Sequence, residues 1–583
     1  VLDPNELDPS GKTTIDFFVP SRDGKRVAVS LSSGGTESGD LHIYNVATAK
    51  ALPDLIPRVN AGTAGGSMAW TADGSGFWYT RYPRAGERPA ADLEFYQQVY
   101  FHKLGTPTAS DLYVFGKDLP RIAEIRLRAS PDGQTLLVTV ENGDGGEFAL
   151  YAIDARNHAK GGTAQLFRFA DKVVKGIFGA DGALYLISHQ DAPKGAIWRL
   201  AVPYATSKPA LILAEGERVI NDIAATRSYL YLIEQLGGLS RLRSFHLTGG
   251  KVSSPEVATT PYPVSSIFAL RPIGADDVLY VTRSYTATPG WFRYVAKARH
   301  STPTALIQPM AFTMDDVDVV RETCTSADGT EVPLNILHKR GIARDGSHPA
   351  LLHGYGGYNI GLTPHLHPLA RMWIDQGGIW AEANLRGGNE FGDAWHDAGR
   401  LASKQRVFDD FYACARTLVD KGYTEPARLA IQGRSNGGLL MGAALVQHPE
   451  MYRVVVAHSG IYDMLRAELT SNGAFNVTEY GTVKEPTLFR ALYAYSPYHH
   501  VADGMAYPAV LLTAGANDPR VDPCNSRKMA ARLQAANSSN QPILLRTSND
   551  VGHSGGSPLS AVIDEMTDTF AFVMSELGMH YTD

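Results

Sequence analysis

A serine set among glycines, in Gly433-Arg434-Ser435-Asn436-Gly437-Gly438, is the pattern of a strained strand-to-helix turn that presents a hydroxyl as a nucleophile. Leu429-Ala430-Ile431 precedes it as an apolar strand, and Leu439 to Leu445 can wind into a helix behind it. Side chains at the flanking glycines would collide with the neighbouring strand and helix. Such a serine needs a histidine and an acid, which in a parallel sheet follow it in the order Ser, Asp, His on loops after later strands. Ala509 to Thr513 opens into Ala514-Gly515-Ala516-Asn517-Asp518-Pro519-Arg520, placing Asp518 just past a strand end. Ile543-Leu544-Leu545 leads to Asp550-Val551-Gly552-His553-Ser554-Gly555-Gly556, a glycine-flanked loop from which His553 can reach the serine. The chemistry is acyl transfer: Ser435 attacks, His553 takes and returns the proton, and Asp518 fixes the tautomer and stabilises the imidazolium. Asp550, Asp522 and Asp463 are weaker candidates for the acid, and Asp463 reads as structural.

A second glycine stretch, His353-Gly354-Tyr355-Gly356-Gly357-Tyr358-Asn359, follows an early strand, where hydrolases of this order place an oxyanion donor. The Asn436 backbone N–H and the Tyr355 hydroxyl are the two candidate donors. The histidine pairs His365/His367 and His499/His500 have no acidic residues at metal-ligand spacing, so they read as packing or surface residues. No phosphate loop or dinucleotide fingerprint is present. Neither a metal nor a cofactor is expected. Cys524, close in sequence to Asp518, reads as a small apolar core residue, or else as a thiol near the cleft.

Two kinds of chain must position these groups. To about Pro309, Asp-Gly turns recur before short apolar segments at Asp23-Gly24, Asp73-Gly74, Asp132-Gly133 and Asp181-Gly182, with weaker copies near Ser228 and Asp276. Six such periods of roughly 50 residues with strand-like segments predict a β-propeller. From about Asp315, apolar strands alternate with amphipathic helices, of which Phe408 to Val419 is one, and this predicts a parallel α/β sheet. The expected domains are a propeller over residues 1–309 and a catalytic domain over residues 310–583.

The 583 residues are 44% hydrophobic and 20% charged, the composition of a globular protein with ample core. With 54 basic and 60 acidic side chains there is no basic stripe for nucleic acid, and no apolar run is long enough to span a bilayer. Cys324, Cys414 and Cys524 are far apart in sequence and form no disulfide framework. The expected compartment is cytoplasmic or periplasmic, with any targeting segment lying upstream of Val1.

These motifs together resemble the prolyl oligopeptidases, serine peptidases in which a seven-bladed propeller caps an α/β-hydrolase domain. The resemblance covers the whole chain and is closest from Ser347-His348-Pro349-Ala350 through Asn384-Leu385-Arg386-Gly387-Gly388 and Phe408-Asp409-Asp410-Phe411 to the elbow. It implies a Ser435, Asp518, His553 triad, an oxyanion hole of Tyr355 and Asn436, and Arg520 bonded to a substrate carbonyl. It also implies a pocket for the residue before the cut lined by Tyr358, Ile461, Tyr480 and Val521, with short peptides as substrates. Two departures stand out. Where prolyl-specific members carry a stacking tryptophan, this chain has Asn476, with Phe475 beside it as a possible substitute. Six periods rather than seven imply that the first blade is absent from this chain. The expected activity is a serine endopeptidase cutting short peptides after proline. The alternatives are a relative with another neutral preference, and an inactive propeller interaction module. Glu479, with Thr478 beside it, does not support a basic preference.

Overall fold

The computed structural model describes residues 1–583 except 159–160, 259, 554–556 and 583. Six antiparallel sheets follow one another over residues 13–60, 68–115, 123–167, 173–213, 219–258 and 265–307. Five are four-stranded meanders, and the one over residues 219–258 has five strands. Their apolar cores lie between consecutive sheets. Ala28, Ile43, Trp70 and Phe77 fill the first such space, and Trp78, Ile125 and Val138 the second. Similar clusters join the third sheet to the fourth, the fourth to the fifth and the fifth to the sixth. Sheets stacked face to face in series make a propeller. The described residues hold six such sheets, not the seven that the resemblance implies.

The Asp-Gly repeats are the turns between the first two strands of the first four sheets. The aspartate carboxylate folds back onto the turn: Asp23 accepts from the Ser21 hydroxyl at 2.7 Å and from Lys25 N at 3.1 Å. Asp73 accepts from Thr71 at 2.7 Å and from Ser75 N at 3.0 Å, bonds that hold its pKa down at about 2. The glycine that follows is left-handed, φ 67° at Gly24 and 72° at Gly133, which is why glycine recurs there.

The second half forms one eight-stranded sheet. Its strands are β1 (Val317–Thr325), β2 (Glu331–Lys339), β3 (Ala350–His353), β4 (Ile379–Ala383), β5 (Leu429–Arg434), β6 (Val454–His458), β7 (Ala509–Gly515) and β8 (Ile543–Ser548). They lie in the order β1-β2-β4-β3-β5-β6-β7-β8, parallel from β4 onward. Strands β6 and β7 are buried along their whole length, as central strands covered on both faces must be. On one face pack α2 (Gln405–Asp420) and α3 (Asn436–Gln447); on the other, α1 (Pro368–Asp375) and α6 (Leu559–Glu576). Two more helices matter below: α4 (Val477–Tyr480) and α5 (Cys524–Ala536). This is the α/β-hydrolase arrangement, with the ends of β5, β7 and β8 pointing at one cleft under the propeller. No helix among the described residues is long and apolar enough to cross a membrane.

Candidate active site

β5 ends at Arg434 and α3 starts at Asn436, so the whole reversal falls on Ser435, held at φ 61° and ψ −119°. For a non-glycine residue this is a costly conformation, and it persists only because the surroundings over-determine it. Ser435 N donates to His458 O at 2.9 Å, and Leu439 N donates to Ser435 O at 3.0 Å. A Cβ at Gly433 would lie 2.4 Å from Gly437 O, and one at Gly438 2.6 Å from the Gly460 Cα, so neither site admits a side chain.

Asp518 follows β7, and one of its carboxylate oxygens accepts from the backbone N–H groups of Arg520 and Val521, both at 2.9 Å. The other lies 2.8 Å from His553 Nδ1. A carboxylate can only accept, so Nδ1 carries the proton and Nε2 is left with its lone pair. Both side chains are buried. Ser435 and His553 line the same cavity, whose volume is about 680 Å³. The Ser554-Gly555-Gly556 part of the histidine loop lies outside the described residues.

Arg434, in the middle of the elbow motif, has a task the sequence does not announce. Its guanidinium donates to His553 O at 3.0 Å and pairs with Glu565 of α6, which also lies 2.9 Å from His458 Nδ1. Burial alone would raise the Glu565 pKa. The His458 hydrogen bond and the Arg434 charge outweigh it and hold the carboxyl at about 2. The elbow and the histidine loop are thus fastened together through one arginine.

The oxyanion candidates are Tyr355, on the loop after β3, and Asn436, the residue after the serine. The Tyr355 phenol interacts with Ser435, and burial raises its pKa, so it stays a neutral donor. Asn436 begins α3 with an unsatisfied backbone N–H, and its side-chain amide donates to Tyr355 O at 2.5 Å. Behind this loop the fully buried Lys404 donates to Gly356 O at 2.9 Å and to Glu479 at 3.0 Å. His396 binds the other Glu479 oxygen at 2.8 Å. Glu479 is therefore engaged within the domain and closed to substrate. Arg386 makes a similar anchor, bonding Asp410 of α2 at 2.6 Å, while Asn359 N donates to Gly387 O at 3.0 Å. This pair ties the Asn384–Gly388 segment to the Phe408–Phe411 segment.

Tyr358, Ile461, Asn476, Val521 and Arg520 line the cavity beside Ser435. The Tyr358 hydroxyl donates to the Asn476 side-chain oxygen at 3.0 Å, so the wall here is an amide held by a phenol. Tyr480 stands behind it, edge-on to Tyr358 at 5.6 Å and donating to the Asn436 amide oxygen at 3.1 Å. Phase of the chain corrects one expectation: Phe475 is not part of this wall. Its ring stacks on Phe95 of the propeller at 5.1 Å and 12°, in a cluster with Ala61, Ala64 and Tyr82. One residue earlier than Asn476 on a tight turn, it points to the other domain.

The other acids and the cysteines are elsewhere. Asp550 pairs with Lys12 at 3.0 Å, Asp522 accepts from Cys524 N at 2.8 Å, and Asp463 is held by Lys528 and Arg466. Cys524 is exposed at the start of α5 rather than in the core, and it does not line the cavity. His365 and His367 line the cavity with His353, and no metal-binding group of His, Cys, Asp or Glu occurs among the described residues.

The propeller reaches the site directly. Glu37 pairs with Arg520 Nε at 2.7 Å, Gly34 O accepts from Asn517 at 2.8 Å, and Thr63 donates to Asn472 at 2.7 Å. Sequence reasoning did not find Glu37, because nothing local marks a loop residue that meets its partner 483 positions later.

Residues 364–580 match the model of the prolyl oligopeptidase family, and residues 1–305 match that of the prolyl oligopeptidase N-terminal β-propeller domain. The chain belongs to the prolyl oligopeptidase family of serine peptidases. It is 30% identical to a prolyl endopeptidase of Elizabethkingia meningoseptica, over 99% of this chain and 81% of that protein. A prolyl oligopeptidase A of Amanita bisporigera is 26% identical over 100% of this chain and 79% of its own length. Among solved structures, one from a study of two prolyl endopeptidases superposes with a TM-score of 0.91 at 31% identity, covering 99% of this chain and 84% of that one.

Proposed function

We propose that this protein is a serine endopeptidase that cuts short peptides on the carboxyl side of proline. The observation that carries the reading is the strained Ser435 elbow facing Tyr355, with His553, paired to Asp518, lining the same cavity. Ser435 Oγ attacks the scissile carbonyl as His553 Nε2 takes its proton, and Asp518 stabilises the imidazolium. The Asn436 N–H and the Tyr355 hydroxyl hold the oxyanion, and Arg520 holds a carbonyl of the preceding residue. Expulsion of the amine, protonated by His553, leaves an acyl-enzyme that water hydrolyses. The names of the relatives support proline as the residue before the cut.

A second reading, a relative with another neutral preference, is favoured by the Asn476 amide at the wall where an indole would stack on a proline ring. The same proposal divides the chain into a propeller over residues 1–309 and a catalytic domain over residues 310–583, supported by the sheet change between Ile307 and Val317. A seventh blade rests on the resemblance alone, and a cytoplasmic or periplasmic setting on the scattered cysteines.

The test is kcat/KM on fluorogenic peptides differing only in the residue before the cut, with Ser435→Ala as control. Strong preference for proline is the expected result. Equal turnover after alanine or other neutral residues would establish the second reading, and no turnover of any peptide would leave the inactive module.

A further inference from the structure

We propose that the propeller wall of the cavity is a subsite for a cationic group on the acyl side of the peptide, formed by Asp144 and Glu141 with Glu124 behind them. The proposal rests on the peptidase reading above. It concerns the residues before the one that enters the Tyr358–Asn476 pocket.

Asp144 lies in the turn Gly143–Gly145 that links strands Thr135–Asn142 and Phe148–Asp154 of the third sheet. The turn is pressed against α4: a Cβ on Gly145 would lie 2.7 Å from Thr478 Cβ, and one on Gly143 3.3 Å from Phe475 O. Asp144 and Glu141 therefore line the cavity together with Asn476 and Arg520. Glu141 is directly opposite Glu124 in the antiparallel ladder, so the two side chains share a face. Like charges in that register destabilise a sheet. Glu124 is 4% exposed, and one of its carboxylate oxygens is buried without a hydrogen-bond partner.

The cations nearby do not neutralise the group. Arg126 approaches Glu124 only to 3.9 Å and is half exposed, and Arg520 is held by Glu37. Among the described residues the carboxylates of Glu141 and Asp144 have no salt-bridge or hydrogen-bond partner. Glu479 lies below, already bound to Lys404 and His396. Burial pushes the Glu141 carboxyl up to about 7, and burial raises Asp144 and Glu124 as well. A cavity wall that bears the Glu141 and Asp144 carboxyl groups, neither with a cation in direct contact and with Arg126 and Arg520 turned to other acids, fits an ammonium or guanidinium. That cation is either the free amino terminus of a short peptide or a Lys or Arg side chain two or three residues before the cut.

The test uses the full chain carrying Ser435→Ala and fluorescent peptides of one length with proline before the cut. One is acetylated and neutral, one has a free amino terminus, one is acetylated with Lys three residues before the cut, and one is acetylated with Glu there. Anisotropy titrations are expected to show at least one cationic peptide binding about tenfold tighter than the neutral one, and the Glu peptide weaker. Whichever cationic peptide gains identifies the source of the charge. In Glu141→Gln, Asp144→Asn and the double variant, each checked for folding by circular dichroism, the ratio of cationic to neutral binding should fall toward one. Equal binding of cationic and neutral peptides, no binding of any, or a preference that survives the double variant would overturn the proposal. Turnover of the neutral peptide with proline or alanine before the cut, measured on the active enzyme, reports separately on the proline reading.

Discussion

On the catalytic-domain side of the cavity, the buried charges next to the nucleophile are paired: Arg434 with Glu565, Lys404 with Glu479, Arg386 with Asp410. On the propeller side, Glu141 and Asp144 line the same cavity with no salt-bridge or hydrogen-bond partner among the described residues, Glu124 behind them meets only Arg126 at 3.9 Å, and Glu37 keeps one oxygen unsatisfied while holding Arg520. The two walls use charge for different ends. Paired ions fix loops that must not move during acyl transfer, since a displacement of about 1 Å is costly in rate. Carboxyl groups without a cation hold their protons more tightly when buried, and at this wall the peptide is what can bring the missing positive charge.

The largest effect should follow from breaking a pair on the fixed side. Lys404→Met leaves the buried Glu479 with only His396 beside it and without its lysine, so the catalytic domain should lose roughly 3 kcal/mol in urea unfolding. Adding Glu479→Leu should restore much of that loss, because removing both charges is far less costly than removing one. If the single variant is as stable as the parent, Lys404 and Glu479 do not hold the oxyanion loop to α4, and the contrast between the two walls fails.

Tyr355→Phe probes the same side with its anchors intact. Deleting one oxyanion donor typically lowers kcat by about 10²–10³. With Ser435, His553 and Lys404 all in place, the loss should fall on kcat while KM changes little. A loss confined to KM would make Tyr355 a contact to the ground-state peptide.

What could be read in the sequence divides along the same line. The elbow, the acid after β7, the histidine after β8 and the Asp-Gly turns all lie in contiguous segments whose local geometry demands those residue types. Ser435 needs its glycines whatever the propeller does. Arg434 was visible as a letter in the motif but not as the link to His553, because its partner Glu565 lies 131 positions away. Phe475 shows the limit most clearly. Beside Asn476 in sequence, it looks able to replace the missing indole, but only the fold reveals that Phe95 has taken its face. Glu37 and Asp144 sit in propeller turns and Glu141 at the end of a strand, with no motif around them. They belong to the site only because two domains meet, and single-chain periodicity carries no record of that meeting.

Glu37 gives the smallest effect and links the two walls. It is the propeller residue that orients Arg520, so Glu37→Gln should raise KM about tenfold, ~1.4 kcal/mol, with kcat nearly unchanged. Burial raises the Glu37 pKa above the usual carboxylate value even with Arg520 beside it, and the charges of His553 and Asp518 also act on it. The charged form is the one that holds Arg520. In the parent, peptide affinity should therefore be full above that raised pKa and fall as pH drops through it. In Glu37→Gln the affinity should be low at every pH, without that step. Peptide binding to Ser435→Ala, with and without Glu37→Gln, measures this free of any effect of His553 protonation on turnover. An identical acid step in both proteins would assign it to another group and leave Glu37 a packing residue.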